Sequence, residues 1–507
     1  MTSRTSKAFK GTVTSFAQYG IFIILQVMLT PLILKIAGQE VLGAYSIIMQ
    51  IVGYGILLDL GFSVALARFL SQTYGLNDQG CRFAEVFTIG RVFLLVTNVV
   101  LASLIFLVGQ KIGDLIVASE SILAQASTAL YFLAAWTVIR TPLALYNHGL
   151  MATQNMAAAN IISIIGNMSR LLLSLLLVYA ESGLIGLIAA NIISEALTFS
   201  IQMKYFKKKY PNYSFGWRVA DSKLFKEIFS FGVKYWGVNL AGVLFLGSDS
   251  IIVGNLYGAS AASVFYTTKI PAFLVFQFIF RLSDNAGPAA NELFAQGNLE
   301  ALKSAYLKIM RYSLLLAIPL AIGVIGFNEA VITAWVGAAQ YAGNIMSLAI
   351  AAFVLTQVVN HINAMIMLAT GNMQRWSAVS IGTSLMSLVL SYCLGKMFGM
   401  QWVMVAIALM DIPNAIFLFK RSLSGINLLA MQVWYDAVVP ALWASLPLCG
   451  LVFYIKAMNS IVTLISLIIY LSLFAVLWGT SLLIVGLSSS EKVYLINKCK
   501  TYLISLS

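Results

Sequence analysis

Two charged side chains interrupt an otherwise apolar stretch, LDLGFSVALARFLSQ, over residues 58–72. Asp59 and Arg68 lie in a chain that is 60% hydrophobic and only 10% charged. In apolar surroundings a carboxylate or a guanidinium is costly, so it pairs with an opposite charge, borders water or binds a ligand. These residue types therefore offer ion pairing, proton or cation uptake by the acid, and anion binding by the base.

Other basic side chains also lie inside apolar stretches or near their ends. Arg and Lys bind phosphate groups through charge-assisted hydrogen bonds, so such positions are candidates for binding an anionic group. Lys234 has no acidic residue at its own depth on the next apolar stretch, and we expect it to face water and contact a ligand. The candidate binding cations are Lys234, Lys269, Arg170, Arg91 and Arg281.

Each acidic residue in these stretches has a structural and a functional interpretation, and the sequence leaves both open. Arg170 and Glu195 fall at similar depth, which predicts either a salt bridge or a phosphate-binding arginine tuned by the acid. Asp249 and Lys269 also match in depth, which predicts a structural pair. The candidate cavity or coupling acids are Asp59, Asp249, Glu195 and Asp411.

Asp411 lies in the segment ALMDIP beside Pro413, with no obvious basic partner. Because proline frees a backbone carbonyl and kinks a helix, this acid could serve ion coupling. The alternative is a protonated, hydrogen-bonded side chain, which we favour. For His361, in VVNHIN, we favour packing over titration.

The residues above are carried by continuous apolar stretches, each long enough to cross a bilayer as a helix. Barrel strands would alternate between polar and apolar residues, and these stretches do not. With 507 residues and a mean hydropathy of +0.90, the chain is predicted to be an all-α polytopic membrane protein. The fourteen predicted transmembrane helices span residues 16–36, 42–69, 86–108, 122–146, 158–178, 184–203, 228–253, 262–282, 312–335, 345–368, 377–394, 402–419, 438–455 and 461–485.

Basic residues are unevenly distributed across the predicted membrane. The net charge is +13, and a cytoplasmic N-terminus places most Lys and Arg residues on the cytoplasmic side, as the positive-inside rule requires. The densest basic cluster, at 204–226, is interpreted as an anchor against anionic lipid headgroups. We therefore expect both termini in the cytoplasm, membrane lipids as partners and no nucleic acid. Arg68, Arg140 and Asp284 then fall at the cytoplasmic mouth.

Catalytic and metal-binding motifs do not occur in the sequence. It has four Cys and two His, without metal-ligand spacing, and no phosphate-binding loop or nucleophile elbow. We therefore predict a protein that is not an enzyme and has no cofactor, with H⁺ or Na⁺ as the candidate coupling ion.

A basic insert after the sixth predicted helix suggests the domain organisation. We predict an N-terminal lobe at 1–203, a cytoplasmic linker at 204–227 and a C-terminal lobe at 228–420. Residues 421–507 would add two more helices and a cytoplasmic tail.

Two segments of the chain resemble a transporter family. Residues 11–72 contain LGAYS, DLG and ARFLSQ, and residues 286–302 read AGPAANELFAQGNLEAL. Both are similar to polysaccharide flippases of the MATE/oligosaccharidyl-lipid/polysaccharide superfamily, in particular the Wzx-type O-antigen flippases. Lipid II flippases of this superfamily bring basic residues into the cavity on the first helix. Here the first helix has only Gln18 and Gln26 inside, so pyrophosphate contacts must come from other helices.

The resemblance implies a bacterial inner-membrane protein with two lobes in a V around a central cationic cavity. It implies alternating access that moves an undecaprenyl-pyrophosphate-linked oligosaccharide, such as a lipopolysaccharide O-antigen repeat unit, to the periplasmic leaflet. Glycan polymerase and chain-length proteins are further expected partners. The alternative is a MATE-like, ion-coupled multidrug exporter, which needs a cavity rich in carboxylates and aromatics. Glycan-contacting candidates are Trp136, Tyr146, Tyr235, Trp236, Asn239, Gln277, Asn360 and Asn363.

Overall fold

The computed structural model describes residues 4–74, 81–211, 213, 221–371, 375–457, 463–487 and 491–492. All regular elements in these ranges are helical, because a chain in hydrocarbon must satisfy its backbone hydrogen bonds within the segment. Thirteen stretches of this part of the chain are long and apolar enough to cross a membrane. The prediction of an all-α, multi-pass membrane protein is confirmed.

The helices form two compact units. The first comprises Met1–Tyr266 and Ser380–Val403, and the second comprises Thr267–Val379 and Met404–Ser507. These units divide the chain at other positions than the predicted lobes do. The predicted linker lies partly outside the described residues, at 212 and 214–220.

Helices of the first unit follow one another with short connections. They are α1 (Arg4–Ile36), α2 (Gln39–Gly53), α3 (Phe62–Tyr74), α4 (Cys81–Gln110), α5 (Ile112–Leu115), α6 (Glu120–Ala152), α7 (Met156–Tyr179), α8 (Gly183–Lys209), α9 (Ser222–Leu246) and α10 (Asp249–Tyr257).

The remaining helices belong wholly or partly to the second unit. They are α11 (Ala259–Ala295), α12 (Leu299–Val336), α13 (Asn344–Thr370), α14 (Trp376–Phe398), α15 (Gln401–Ile426), α16 (Ala430–Val433), α17 (Val439–Ala457) and α18 (Leu464–Ser481). Short 3-10 segments (Tyr54–Leu57 and Ala338–Gln340) and π-helical segments (Trp434–Val438 and Leu482–Gly486) complete the regular structure.

The second predicted span, 42–69, is not one helix, and that prediction is wrong. α2 ends at Gly53, a 3-10 turn follows, and α3 begins only at Phe62. Leu60 and Gly61 have φ angles of 48° and 71°, a left-handed conformation that no continuous helix contains. Glycine enters that region freely, so Gly61 is well suited to end the turn.

The seventh predicted span is also interrupted. α9 ends at Leu246, and α10 begins at Asp249 after a bend at Gly247 and Ser248. This interruption is much shorter than the one between α2 and α3.

Close contact with α9 holds the break between α2 and α3 in place. The Trp236 indole N–H donates to the Leu57 carbonyl at 2.6 Å, which satisfies a backbone acceptor that a continuous helix would have used. At Gly61 an added Cβ would lie 2.3 Å from the Gly232 carbonyl oxygen, so the two backbones touch. The seventh predicted span thus packs within the first unit.

Each unit has its own core. In the first, the rings of Phe62, Phe83, Phe87 and Phe206 are almost completely buried where α3, α4, α6 and α8 meet. In the second, α12 packs on α13 and α17 around the buried Tyr306.

Candidate functional site

A cavity of about 530 Å³ lies within the first unit. Its walls come from the break between α2 and α3 and from α4, α6 and α8. Irregular backbone at membrane depth is tolerated where it is buried in protein or lines a cavity, and this break does line one. The polar and aromatic lining residues are Asp59, Ser63, Thr97, Asn98, Trp136, Thr137, Arg140, Thr141, His148, Asn191 and Glu195.

Asp59 is the charged residue of the break. Its Oδ1 accepts hydrogen bonds from the Ser63 backbone N–H at 3.1 Å and from the Ser63 hydroxyl at 3.0 Å. The carboxylate therefore caps the start of α3, where the first N–H groups have no helical partner and the helix dipole favours negative charge. Sequence reasoning placed Asp59 among cationic neighbours, and it did not foresee this role.

Glu195 on α8 contacts two residues of α6. Its Oε2 accepts from the Trp136 indole at 2.8 Å and lies 3.6 Å from Nη1 of Arg140. Trp136 and Arg140 are four residues apart and so share a helix face. Arg140, predicted to mark the cytoplasmic mouth, thus lines the cavity.

The predicted salt bridge between Arg170 and Glu195 is wrong. Arg170 lies on α7, which packs against α1, and its guanidinium is 5.6 Å from the ring centre of Phe22. Its Nη2 is buried and has no hydrogen-bond partner among the described residues. Equal depth on consecutive helices does not make two side chains face each other.

The charge of the cavity differs from the expectation of a net-positive chamber. Its described lining contains two carboxylates, Asp59 and Glu195, and one guanidinium, Arg140. With His148 neutral these charges sum to −1, and with His148 protonated they sum to zero. This cavity within the first unit is not cationic, whereas the expectation of a cationic cavity between two lobes stays a prediction.

Other predicted cations of the first unit lie outside this lining. Arg91 on α4 lies 5.7 Å from the ring centre of Phe87, and the exposed Arg68 on α3 lies 4.4 Å from that of Phe231. Lys234 belongs to α9, but its side chain is outside the described part of the chain.

Asp249 lies at the start of α10 and is 3% exposed. It accepts a hydrogen bond from the Gln50 amide at 2.6 Å. Lys269 belongs to the second unit, where it is 5% exposed and lies 5.3 Å from the ring centre of Phe273. Their predicted pairing stays a prediction.

Asp284 and His361 form a pair within the second unit. Nε2 of His361 lies 2.8 Å from Oδ1 of Asp284, and its ring stacks on Phe280 with 3.9 Å between ring centres. Both packing and a charge partner thus occur at His361. Arg281 lies on the same helix as Asp284, one turn earlier.

Asp411 is 1% exposed and hydrogen-bonded, as one of its two interpretations predicts. It accepts from Thr356 at 2.5 Å, from Gln357 at 3.1 Å and from Asn360 at 2.8 Å. Asn360 also has a buried Oδ1 without a hydrogen-bond partner among the described residues.

Most glycan-contacting candidates lie outside the described lining of this cavity. Trp136 lines it, Trp236 donates to the Leu57 carbonyl at the break, and Tyr146 is buried in the aromatic core. Asn363 accepts from both Tyr306 and Ser422, and Gln277 is exposed. The side chains of Tyr235 and Asn239 lie outside the described residues.

Sequence reasoning missed several polar residues of the cavity, including His148, Asn98 and Asn191. A signal was present in α6, where the lining positions 133, 136, 137, 140, 141, 144, 145 and 148 recur every three or four residues. That spacing is one face of a helix, and it carries Thr, Arg and His in an otherwise apolar segment.

Sequence comparison matches residues 35–343 to a family model described as polysaccharide biosynthesis protein. The uncharacterized membrane protein EpsK of Bacillus subtilis (strain 168) is 23% identical over 340 residues, which are 65% of each chain. The uncharacterized membrane protein MJ1068 of Methanocaldococcus jannaschii is 29% identical over 128 residues, 25% of each chain. The chain therefore spans less than two thirds of the length of these relatives.

Solved transporter structures have a similar fold. An inward-facing multidrug resistance MATE family transporter of the MOP superfamily matches with a TM-score of 0.69 and 14% identity, over 82% of this chain and 98% of that one. The eukaryotic MATE transporter AtDTX14 matches with a TM-score of 0.63 and 14% identity, over 84% of this chain and 98% of that one. A MOP superfamily transporter from Pyrococcus furiosus matches with a TM-score of 0.59 and 15% identity, over 84% of this chain and 96% of that one. At these identities the likeness concerns the fold.

Proposed function

Because the chain belongs to the polysaccharide biosynthesis protein family, we propose that it is a flippase for undecaprenyl-pyrophosphate-linked oligosaccharides. The expected membership of the MATE/oligosaccharidyl-lipid/polysaccharide superfamily is confirmed by the family match and the fold. In this proposal the protein lies in the bacterial inner membrane with both termini in the cytoplasm. It moves the glycan, such as an O-antigen repeat unit, from the cytoplasmic to the periplasmic leaflet.

The observation that carries the proposal is a polar cavity opened by a broken helix at membrane depth. A sugar headgroup cannot cross hydrocarbon unless its hydroxyl groups find hydrogen-bonding partners on the way. The cavity of the first unit offers carboxylates, amides and hydroxyls at such a depth. Discontinuous helices also supply the ligand-binding backbone of many secondary transporters.

The pyrophosphate requires cations, and among the described lining residues of the cavity Arg140 alone has a permanent positive charge. Arg170 is the side chain we propose for this contact, because its buried Nη2 has no hydrogen-bond partner among the described residues. A half-buried guanidinium with an open donor can bind a phosphate oxygen through a charge-assisted hydrogen bond. Lys269 is a second candidate, although its ammonium is deeply buried.

Ion coupling is a further part of the proposal. Asp411 is a buried acid surrounded by Thr356, Gln357 and Asn360, and it is our candidate for taking up H⁺ or Na⁺. Glycan polymerase and chain-length proteins are proposed partners on the basis of the family alone.

The decisive test is reconstitution of the full chain in liposomes that contain an undecaprenyl-pyrophosphate-linked glycan. A membrane-impermeant glycan-modifying enzyme reports how much substrate reaches the outer leaflet, with and without an imposed proton or sodium gradient. We expect the protein to accelerate exchange over empty liposomes. Exchange no faster than in empty liposomes under every gradient would disprove the proposal.

A MATE-like exporter of cationic drugs is the second candidate function. The observation that favours it is the pair of carboxylates beside Trp136 in the first-unit cavity. Cells expressing this protein would then tolerate cationic toxicants better, and their surface glycan would not change.

A further inference from the structure

The cavity of the first unit consists mainly of hydrogen-bond acceptors. The hydroxyl of Thr97 donates to the Leu94 carbonyl at 3.2 Å, and that of Thr137 donates to the Leu133 carbonyl at 2.7 Å. Thr141 donates in the same way to Thr137, at 2.9 Å. A hydroxyl has one hydrogen to donate, so each of these oxygens can offer only lone pairs to a ligand.

Carboxylate and amide groups add to this surplus of acceptors. Asp59 takes hydrogen bonds only from Ser63 among the described residues, and an ionised carboxylate has about four acceptor positions. Glu195 makes its contacts with Trp136 and Arg140 through Oε2, which leaves Oε1 to the cavity. Asn98 donates to the Leu94 carbonyl, so its Oδ1 is a further acceptor.

Donors are carried by fewer of the described lining side chains. They are the Arg140 guanidinium, one end of which lies 3.6 Å from Glu195, the second amide hydrogen of Asn98, and the N–H groups of His148 and Asn191. The formal charge of the lining is −1 with His148 neutral and zero with His148 protonated. The cavity therefore favours a ligand that donates hydrogen bonds and carries no negative charge.

We infer that this cavity binds neutral or N-acetylated amino sugars of the transported glycan and excludes acidic sugars such as uronic acids. The inference rests on the proposed function and assigns the sugar part of the substrate to this site. Sugar hydroxyls and acetamido N–H groups are donors that match the acceptors of the lining. A uronate adds only acceptors and a negative charge next to Asp59 and Glu195, where like charges repel. The volume lies within the roughly 300–1,000 Å³ range of small-ligand sites.

The test uses two substrates with the same lipid, the same pyrophosphate and the same glycan length. They differ only in one sugar, glucose in the first and glucuronic acid in the second. In liposomes with the full chain, we expect initial flipping of the glucose substrate to be roughly tenfold faster. Equal rates, or a faster uronate, would overturn the inference while leaving the flippase proposal intact.

A binding measurement separates this inference from the proposed function. If neither substrate is flipped, the flippase proposal fails, and binding of the two free oligosaccharides to the purified chain then decides the inference. Isothermal titration calorimetry of the purified chain in detergent measures this binding. Preference for the neutral oligosaccharide supports the inference, and equal or absent binding of both overturns it.

Variants that remove the carboxylate charges test the cause of the preference. In the double variant Asp59→Asn, Glu195→Gln the lining loses both negative charges, and Asn still caps a helix well. We expect the glucose-to-glucuronate ratio of rates or affinities to fall roughly tenfold. Asp114→Asn removes an exposed acid of the same unit outside the cavity and should leave the ratio unchanged. If the double variant does not fold, Asp59→Asn alone should lower the ratio, and an unchanged ratio overturns the inference.

Discussion

Asp59 shows how one residue can have a structural and a functional role at the same position. Its carboxylate caps α3 through Ser63 and at the same time lines the cavity. The sequence predicted its depth in the membrane, because counting along an apolar stretch gives depth. It did not predict the cap, because the apolar pattern continues without change through the break.

Replacing Asp59 separates these two roles. Asp59→Ala removes the acceptor of the Ser63 N–H and should destabilise the protein by about 1–2 kcal/mol, whereas Asp59→Asn keeps a side-chain oxygen as acceptor and should cost much less. Thermal unfolding of the purified protein in detergent measures the difference. Equal losses for Ala and Asn would mean that the charge of Asp59, and not its cap, stabilises the fold.

A double-mutant cycle tests which arginine pairs with Glu195. The Arg140 and Glu195 side chains are both 32% exposed, so their interaction energy should be about 0.5–1 kcal/mol. We expect Arg140→Gln and Glu195→Gln to be non-additive by this amount in unfolding free energy, and Arg170→Gln and Glu195→Gln to be additive. Coupling through Arg170 instead would contradict the described geometry.

This pair also shows a limit of prediction from sequence. Counting along the helices assigned a depth to Arg170 and Glu195, but depth fixes only one of the two coordinates of a side chain on a helix. The other is direction around the axis, and it depends on which helices pack together. Both α6 and α7 pack on α8, but α7 also packs on α1 and directs the Arg170 guanidinium towards Phe22 of that helix.

At the scale of elements, hydropathy predicted where most helices lie but not where they break. Thirteen of the predicted spans correspond to stretches that can cross a membrane. The second does not, because α2 and α3 are each shorter than a bilayer requires. The glycines at 53, 55 and 61 were visible, yet glycine is common in transmembrane helices and does not by itself predict a break.

Gly61 should be the most sensitive glycine of this break. Gly61→Ala places a methyl group 2.3 Å from the Gly232 carbonyl oxygen at a φ of 71°, so both contact and conformation oppose it. Gly371→Ala is the matched control, since its φ is 69° and nothing lies within 4 Å of the added atom. We expect Gly371→Ala to cost about 1–2 kcal/mol and Gly61→Ala clearly more, by thermal unfolding in detergent. Similar losses of unfolding free energy for the two variants would show that α9 shifts to accommodate the added methyl group.

At the scale of the whole molecule, transport should depend on Arg170, whose buried Nη2 has no hydrogen-bond partner among the described residues. Arg170→Ala is expected to slow flipping roughly tenfold, because a charge-assisted contact to the pyrophosphate is lost. Arg170→Lys keeps the charge without the planar fork and should be intermediate. Lys308→Ala, an exposed cation of the second unit, is the control. Flipping by Arg170→Ala at the unaltered rate would remove Arg170 from the proposed site.

The family and most of the predicted spans were thus within reach of the sequence, whereas the charge of the first-unit cavity was not. Summing the charged residues of apolar stretches suggested a basic interior. Only some of those residues line the cavity of the first unit, and their net charge is zero or −1. The titratable residues of the described lining are Asp59, Arg140, Glu195 and His148. Only packing decides which charges share one space.

The turn between α2 and α3 also gives the molecule a built-in reporter. Its amides donate to carbonyls only three residues earlier, as Leu58 N–H does to the Gly55 carbonyl, and the hydrogen bonding of a continuous α-helix is interrupted. Deuterium from the solvent should therefore enter residues 54–61 sooner than the helical turns on either side. When a ligand displaces water from the neighbouring cavity, this uptake should slow, so mass spectrometry of one peptide could follow occupancy without any label.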